Sequence, residues 1–173
     1  LRWIKNAKGN KTNFTYTLLD QLATVEFGGD TKTYTYLEDG LLDTYAKPGG
    51  HTFQYTYDDL GRLESDGYAD YIYDAQDNIE MISKTGGSAL SFTYDDLNRM
   101  KTATYESQTV SYDYDLNSNV KKITYPDGFA VTYDYDANNR LTDVRWLGQT
   151  VHYDYYDDGR LQKTTYPNGT YCD

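Results

Sequence analysis

One stretch of the sequence, Asp113-x-Asp115-x-Asn117-x-Asn119, is spaced like the first half of a calcium-binding loop. Such a loop takes oxygen ligands at alternate positions, requires glycine at its sixth position and requires glutamate at its twelfth. Those positions hold Ser118 and Thr124 here. We therefore interpret the stretch as a turn capped by Asp and Asn side chains, and we predict neither a metal site nor a cofactor.

Pairs of adjacent aspartates are a second candidate, because two neighbouring carboxylates can act as general acid and base. The pairs are Asp58-Asp59, Asp95-Asp96 and Asp157-Asp158. Since they recur at the interval of a sequence repeat, we interpret them as polar turn residues and as partners of nearby arginines. Those arginines are Arg62, Arg99 and Arg160.

The two histidines complete the set of residues with catalytic chemistry. His51 follows a Gly-Gly pair, and His152 occupies an outward position in an alternating segment. Neither belongs to a Gly-x-Ser-x-Gly or His-Glu-x-x-His pattern. We interpret both as surface residues, and the sequence predicts a protein that is not an enzyme.

A repeat of about 20 residues organises the whole chain. The motif at residues 94–100, Tyr-Asp-Asp-Leu-Asn-Arg-Met, recurs in similar form at residues 57–63 and 135–141. Successive repeat starts are 20, 21, 16, 21, 20, 21 and 20 residues apart. The eight starts are Tyr16, Tyr36, Tyr57, Tyr73, Tyr94, Tyr114, Tyr135 and Tyr155. We assign residues 14–173 to eight repeats and residues 1–13 to the end of a preceding repeat.

Each start ends an alternating segment such as Val131-x-Tyr133-x-Tyr135, which is typical of a strand with one buried face. Four residues after the start comes Gly, Asn or Asp in seven copies, and Ser118 in the other. Gly, Asn and Asp tolerate the positive φ of a tight hairpin. Six residues after the start, an aliphatic residue begins the return strand. The aliphatic and an aromatic five residues later require either a bulge or two partly covered faces, and the sequence leaves both open.

The predicted fold is all-β: consecutive antiparallel hairpins that form a curved or spiralling sheet, with the eight tyrosines on one face and almost no helix. A lone hairpin buries too little to offset the entropy of ordering about 20 residues, so neighbouring repeats must complete it. Tyr94→Ala or Tyr114→Ala should each cost about 3–5 kcal/mol, as for other buried rings, and near-neutral results would mean that the face is exposed.

Composition limits the partners of the chain. It carries a net charge of −11, which disfavours nucleic acid and anionic membrane surfaces. The sequence contains no apolar run of membrane-spanning length. Aromatic residues make up 16% of the chain, unlike in disordered acidic proteins. Cys172 is the only cysteine, so an internal disulfide is excluded.

The phrase aromatic-x-Tyr-Asp-x-x-Gly/Asn-Arg-Leu, with turns such as Tyr125-Pro126-Asp127-Gly128 and Tyr166-Pro167-Asn168-Gly169, resembles the YD repeat of the Rhs family. That family comprises bacterial Rhs polymorphic toxins, the B and C components of insecticidal toxin complexes, wall-associated bacterial proteins and the animal teneurins. The resemblance implies a β-sheet that spirals into a hollow shell, which in the bacterial toxins encloses a C-terminal toxic domain. It also implies a secreted or cell-surface location. The Asp-Pro-containing motif that closes the family's shells is absent from this sequence.

These observations lead to a function prediction with one alternative. The predicted function is that of a non-catalytic segment of a larger shell, which encapsulates or presents a toxin or effector or acts as a cell-surface scaffold. Its partners are neighbouring repeats of the parent chain, an enclosed toxin, or another copy paired at a strand edge. The alternative is a carbohydrate-binding or adhesion module that contacts surface glycans through exposed aromatics such as Trp146.

Overall fold

The computed structural model describes residues 2–84 and 86–173, and within them every regular element is a β-strand. None of these residues forms a helix of the length and apolarity that crossing a membrane requires. The strands are β1 (Trp3–Lys5), β2 (Lys11–Tyr16), β3 (Leu22–Phe27), β4 (Asp30–Tyr36), β5 (Leu42–Ala46), β6 (Thr52–Gln54), β7 (Thr56–Tyr57), β8 (Leu63–Ser65), β9 (Ala69–Tyr73), β10 (Ile79–Lys84), β11 (Ala89–Tyr94), β12 (Met100–Tyr105), β13 (Gln108–Tyr114), β14 (Val120–Thr124), β15 (Ala130–Tyr135), β16 (Leu141–Trp146), β17 (Gln149–Tyr155), β18 (Leu161–Thr165) and β19 (Tyr171–Cys172). The predicted all-β class is confirmed.

The chain divides into two compact units, and β9 and β10 contribute residues to both. The first unit comprises residues 1–72 and 82–87. In it β1 to β6 form a six-stranded sheet in chain order, and the short strands β7 and β8 pair separately through Thr56 with Ser65 and Tyr57 with Leu63. The second unit comprises residues 73–81 and 88–173, where β11 to β19 follow one another in chain order. Every strand pairing determined in either unit is antiparallel, as expected for consecutive hairpins.

A β-bulge occurs at the same place in at least seven hairpins, where the register shifts between the start tyrosine and the residue before it. In the β11–β12 hairpin, Tyr94 pairs with Met100 and Thr93 pairs with Thr102, so Lys101 is the extra residue. The bulge changes the parity of the return strand and brings Met100 and Tyr105 to the same face. The structure thereby decides between the two arrangements that the sequence allowed.

The bulges sort the side chains into two faces. On the aromatic face, which carries the start tyrosines, Phe92 is paired with Ala103 and Leu90 with Tyr105. In the first unit the rings of Tyr34, Tyr45 and Phe53 stack on this face across three strands. The polar face carries cross-strand threonine pairs, for example Thr93 with Thr102 at 2.6 Å between hydroxyls. Apolar and polar residues that alternate along a strand therefore lie on opposite faces of the sheet.

Burial of the aromatic face is only partial. Among the described residues, Ala69 alone is below 9% exposed. Seven of the start tyrosines are half-buried, and Tyr16 is 43% exposed. The rings are thus less buried than the sequence suggested, because neighbouring strands cover them only laterally, and we expect the loss per ring to fall below about 3–5 kcal/mol.

Candidate functional site

The tight turn after each start tyrosine is built around one carboxylate. In the β11–β12 hairpin, Asp95 Oδ1 accepts hydrogen bonds from the backbone N–H groups of Leu97 and Arg99 at 2.9 and 3.0 Å. Its Oδ2 accepts from Arg99 Nε at 2.8 Å. Asp58 with Arg62 and Asp136 with Arg140 repeat the arrangement. The Asp and the Arg four residues later are thus one capping unit, because the carboxylate satisfies turn N–H groups that no strand partner reaches.

The fourth residue after the start has a left-handed backbone in all eight repeats. Its φ is 58° at Asn98, 92° at Gly40 and 67° at Ser118, the copy whose residue type departs from the pattern. Asn98 N–H also donates to the Asp95 carbonyl at 2.9 Å, which closes a four-residue turn. The hairpin prediction from Gly, Asn and Asp is confirmed, and the turn geometry imposes the same φ on serine.

The start tyrosines tie each repeat to the one before it. In at least six repeats the phenol O–H donates to the backbone carbonyl of the aliphatic residue that begins the previous return strand. The pairs are Tyr36 with Leu22 (2.9 Å), Tyr57 with Leu42 (3.0 Å), Tyr94 with Ile79 (2.8 Å), Tyr114 with Met100 (2.8 Å), Tyr135 with Val120 (3.0 Å) and Tyr155 with Leu141 (2.8 Å). We call this series the tyrosine ladder. It explains why the residue is tyrosine and not phenylalanine at these positions.

The capping arginines Arg99 and Arg140 contact the repeat that follows their own. Arg99 lies over the ring of Tyr114 at 4.5 Å, and its Nη1 donates to the Asp115 carbonyl and to Ser118 Oγ at 3.2 and 3.1 Å. Arg140 likewise lies over Tyr155 at 4.7 Å. A guanidinium stacked on an aromatic face and fixed by a carboxylate is a favourable, preorganised contact. Sequence reasoning paired Arg99 only with aspartates; the equal 15-residue spacing from Arg99 to Tyr114 and from Arg140 to Tyr155 was the signal for the stacking.

The calcium-like stretch forms an ordinary turn. Asp115 Oδ1 accepts the backbone N–H groups of Asn117 and Asn119, each at 2.9 Å, and Asn119 Nδ2 donates to Oδ2. Asp113 lies on β13 opposite Lys122. Among the described residues, no group of three or more His, Cys, Asp or Glu side chains is placed to hold a metal ion.

In each aspartate pair, one carboxylate binds the arginine that the sequence assigned to it. Asp58 binds Arg62, and Asp95 binds Arg99. In the last pair the second residue, Asp158, binds Arg160 at 2.8 Å. The capping interpretation therefore accounts for the doublets without catalysis.

The two histidines belong to different units. The His51 ring contacts Phe53 edge-on at 4.5 Å in the first unit. His152 lies on the polar face of the second unit between Asp143 and Asp154. No nucleophile contacts either ring among the hydrogen bonds of the described residues.

Trp146, the residue predicted to contact a ligand, is half-buried at the end of β16. It lines a cavity of about 370 Å³ together with Thr132, Arg145 and Thr150. By strand register it belongs to the aromatic face, because Val144, two residues earlier, pairs with Tyr133. Its role as a ligand contact stays a prediction.

Hydrogen bonds set the charge state of the capping carboxylates. The Arg99 side chain, followed by turn N–H groups, holds the pKa of Asp95 below its ordinary value of 3.8. The Asn119 side chain does the same for the pKa of Asp115. Burial raises the pKa of Tyr114 and Tyr135 above 10.0, which keeps the hydroxyls of the tyrosine ladder protonated as donors.

We expect Asp95→Ala to lower the urea midpoint of unfolding clearly more than Asp96→Ala. Both variants remove one carboxylate from the same turn, but only Asp95 accepts the N–H groups of Leu97 and Arg99 and fixes the Arg99 side chain. Among the described residues, Asp96 makes no side-chain hydrogen bond or ion pair. Equal midpoints for the two variants would contradict the capping role.

Acid should destabilise the chain through the same groups. Because folding lowers the pKa values of Asp95, Asp115 and Asp136, their stabilising contribution is present above about pH 3.8 and is lost as the pH falls through the lower folded-state values. We expect the urea midpoint to decline steeply below about pH 4. The decline should be shallower in Asp95→Asn, and an unchanged slope would show that this carboxylate does not contribute.

The geometry defines a class of protein: an all-β repeat protein whose hairpins are joined by a tyrosine ladder and capped by Asp–Arg turns. Comparisons with known proteins point to the same class. Residues 69–146 match the family described as Teneurin YD-shell. A search of curated proteins found no match.

Solved structures with the same fold include parts of a Tc holotoxin and of the TcdB2-TccC3 complex. The Photorhabdus luminescens Tc holotoxin pore superposes with a TM-score of 0.69 at 13% identity, over 92% of this chain and 12% of that one. The TcdB2-TccC3 complex superposes with a TM-score of 0.66 at 16% identity, over 96% and 11%. The chain therefore spans about an eighth or less of these relatives. The resemblance to the YD-repeat, or Rhs-repeat, family is confirmed.

Proposed function

We propose that the chain is a non-catalytic wall segment of a larger, secreted or cell-surface YD-repeat shell that encloses or presents a toxin or effector. The observation that carries this proposal is the partial exposure of the aromatic face: its rings are half-exposed, although hydrogen bonds and stacking hold them in one orientation. Exposing a half-buried aromatic face to water costs free energy, and an element that covered the face would remove that cost. The comparisons support the same proposal, since the matching structures are much longer chains.

Footprinting in the parent protein tests the proposal. Hydroxyl-radical labelling of Tyr94, Tyr114 and Tyr135 is measured in the intact parent and in the 173-residue chain. We expect several-fold lower labelling in the parent, whereas Leu97, which is 67% exposed at a turn, should label equally in both. Equal labelling of the tyrosines would contradict a role in which the aromatic face is covered.

The non-catalytic part of the proposal has its own test. The purified chain is assayed on panels of esters, glycosides and peptides, and we expect no turnover. Turnover that disappears in His51→Ala or His152→Ala would instead support an enzyme.

The proposed partners include neighbouring repeats that pair with the outer strands. On β1, Trp3 and Ile4 are 51% and 48% exposed. Unpaired backbone groups at such an edge recruit further strands. We expect the 173-residue chain to associate with increasing concentration in sedimentation experiments, and to do so less when Ile4 is replaced by lysine. A monomer at every concentration would contradict edge pairing.

A further inference from the structure

The polar face changes character across β15, β16 and β17. In several other hairpins, threonine hydroxyls pair across strands on this face, as Thr15 does with Thr24 at 2.7 Å. Across these three strands, charged side chains take the equivalent positions: Asp134, Asp143, Arg145, His152 and Asp154. Asp143 lies at the centre, opposite Asp134 on one side and His152 on the other. Neither the tyrosine ladder nor the capping turns require this charged row.

Both ring nitrogens of His152 face carboxylates. Nδ1 lies 2.8 Å from Asp143 Oδ1, and Nε2 lies 3.2 Å from Asp154 Oδ1. An ionised carboxylate only accepts hydrogen bonds, and a neutral imidazole carries a single N–H. Only the imidazolium can therefore donate to both carboxylates. After loss of the proton, one nitrogen presents a lone pair to a carboxylate oxygen.

His152 lies among charged groups of its own strand and of the neighbouring strands. Arg145 binds Asp143 at 3.1 Å and also binds Asp134. On the other side, β18 places Lys163 opposite Asp154 and the uncharged Thr165 opposite His152. Among these groups, the imidazole is the side-chain type whose ordinary pKa lies near neutrality.

We propose that His152 is a proton-operated clasp on the polar face. As the imidazolium it ties Asp143 of β16 to Asp154 of β17, and as the neutral ring it releases one of them. The contact that is released is the longer one, to Asp154. His152 also lines a cavity of about 640 Å³ with Thr150 and Thr165, so the release changes the wall of that cavity.

The direction of the response follows from the geometry. The hydrogen bond with Asp143 raises the pKa of His152 above its ordinary value of 6.5 and outweighs the opposing effect of burial. A raised folded-state pKa means that the clasp contributes fully below about pH 6.5 and is lost as the pH rises through the folded-state value. The device is closed in mildly acidic solution and open in alkaline solution.

Nitrogen-15 NMR titration of the histidine side chains tests the clasp directly. In the His51→Gln variant only His152 gives a signal. We expect its pKa to lie above 6.5, with both nitrogens protonated at the acidic end. Asp143→Asn should lower the pKa more than Asp154→Asn does, because its contact is shorter and comes from a less exposed carboxylate (16% against 44%). A pKa at or below 6.5, or the reverse order of the two variants, would overturn the proposal.

A stability measurement separates the clasp from a static role of the ring. The difference in urea midpoint between the unchanged chain and His152→Gln is compared at about pH 5.5 and about pH 8.5, on either side of the titration. We expect the larger difference at the acidic pH. The same difference at both values would show that His152 packs against its neighbours without responding to protons. The matched control, Thr150→Ala on the same strand and face, should show no such dependence on pH.

Discussion

Replacing Tyr114 with alanine is expected to lower the free energy of unfolding by about 2–3 kcal/mol, below the range for a fully buried ring. The change removes a half-buried ring, the hydrogen bond to the Met100 carbonyl at 2.8 Å, and the surface on which Arg99 stacks at 4.5 Å. Tyr114→Phe keeps the ring and removes only the hydroxyl, so it should cost about 1 kcal/mol. Urea unfolding followed by circular dichroism measures both.

The control for this prediction is Tyr105→Ala in the same unit. Tyr105 is 50% exposed, and among the described residues its hydroxyl makes no hydrogen bond. We expect its loss to cost about 1 kcal/mol, from lost apolar contact alone. Equal costs for Tyr105→Ala and Tyr114→Ala would mean that the tyrosine ladder adds nothing beyond ring area.

Gly67→Ala is expected to be more harmful than an ordinary glycine substitution, with a loss of about 2–4 kcal/mol. Gly67 has a φ of +76°, which already disfavours any side chain. A Cβ at this position would in addition lie 2.9 Å from the backbone nitrogen of Gln54 and 3.1 Å from its carbonyl oxygen. Backbone atoms cannot rotate away as a side chain can, so the strands must separate.

Gly61→Ala is the matched control, because Gly61 has a φ of +75° and open space where a Cβ would be placed. It should cost only the left-handed strain of about 1–2 kcal/mol. The difference between the two variants, read from urea midpoints, isolates the close approach. If both lose the same stability, the strands at Gln54 yield easily and the short repeat is not tightly packed.

Local signals decided most of the fold. The period-two segments specified the strands, and the residue four positions after each start specified the hairpins, because both depend on φ, ψ and side-chain direction within a few residues. The 16-residue interval was also visible, and it corresponds to the short strands β8 and β9 joined by the Asp66-Gly67 turn. Repetition of one hairpin eight times made each of these inferences redundant and hence secure.

Other features depend on how neighbouring repeats pack against one another. The sequence allowed a bulge or two covered faces, and pairing with the neighbouring strand selected the bulge. Tyr114 reaches a carbonyl in the previous hairpin, and Arg99 reaches a ring in the next one, over separations of 14 and 15 residues that strand packing determines. Likewise, the contact of Gly67 with Gln54 and the placement of His152 between two carboxylates depend on which backbones lie side by side. Sequence periodicity determined the strands and turns, whereas the faces of the return strands and the contacts that join repeats were decided by tertiary structure, because they are set by strand register and spacing rather than by local conformation.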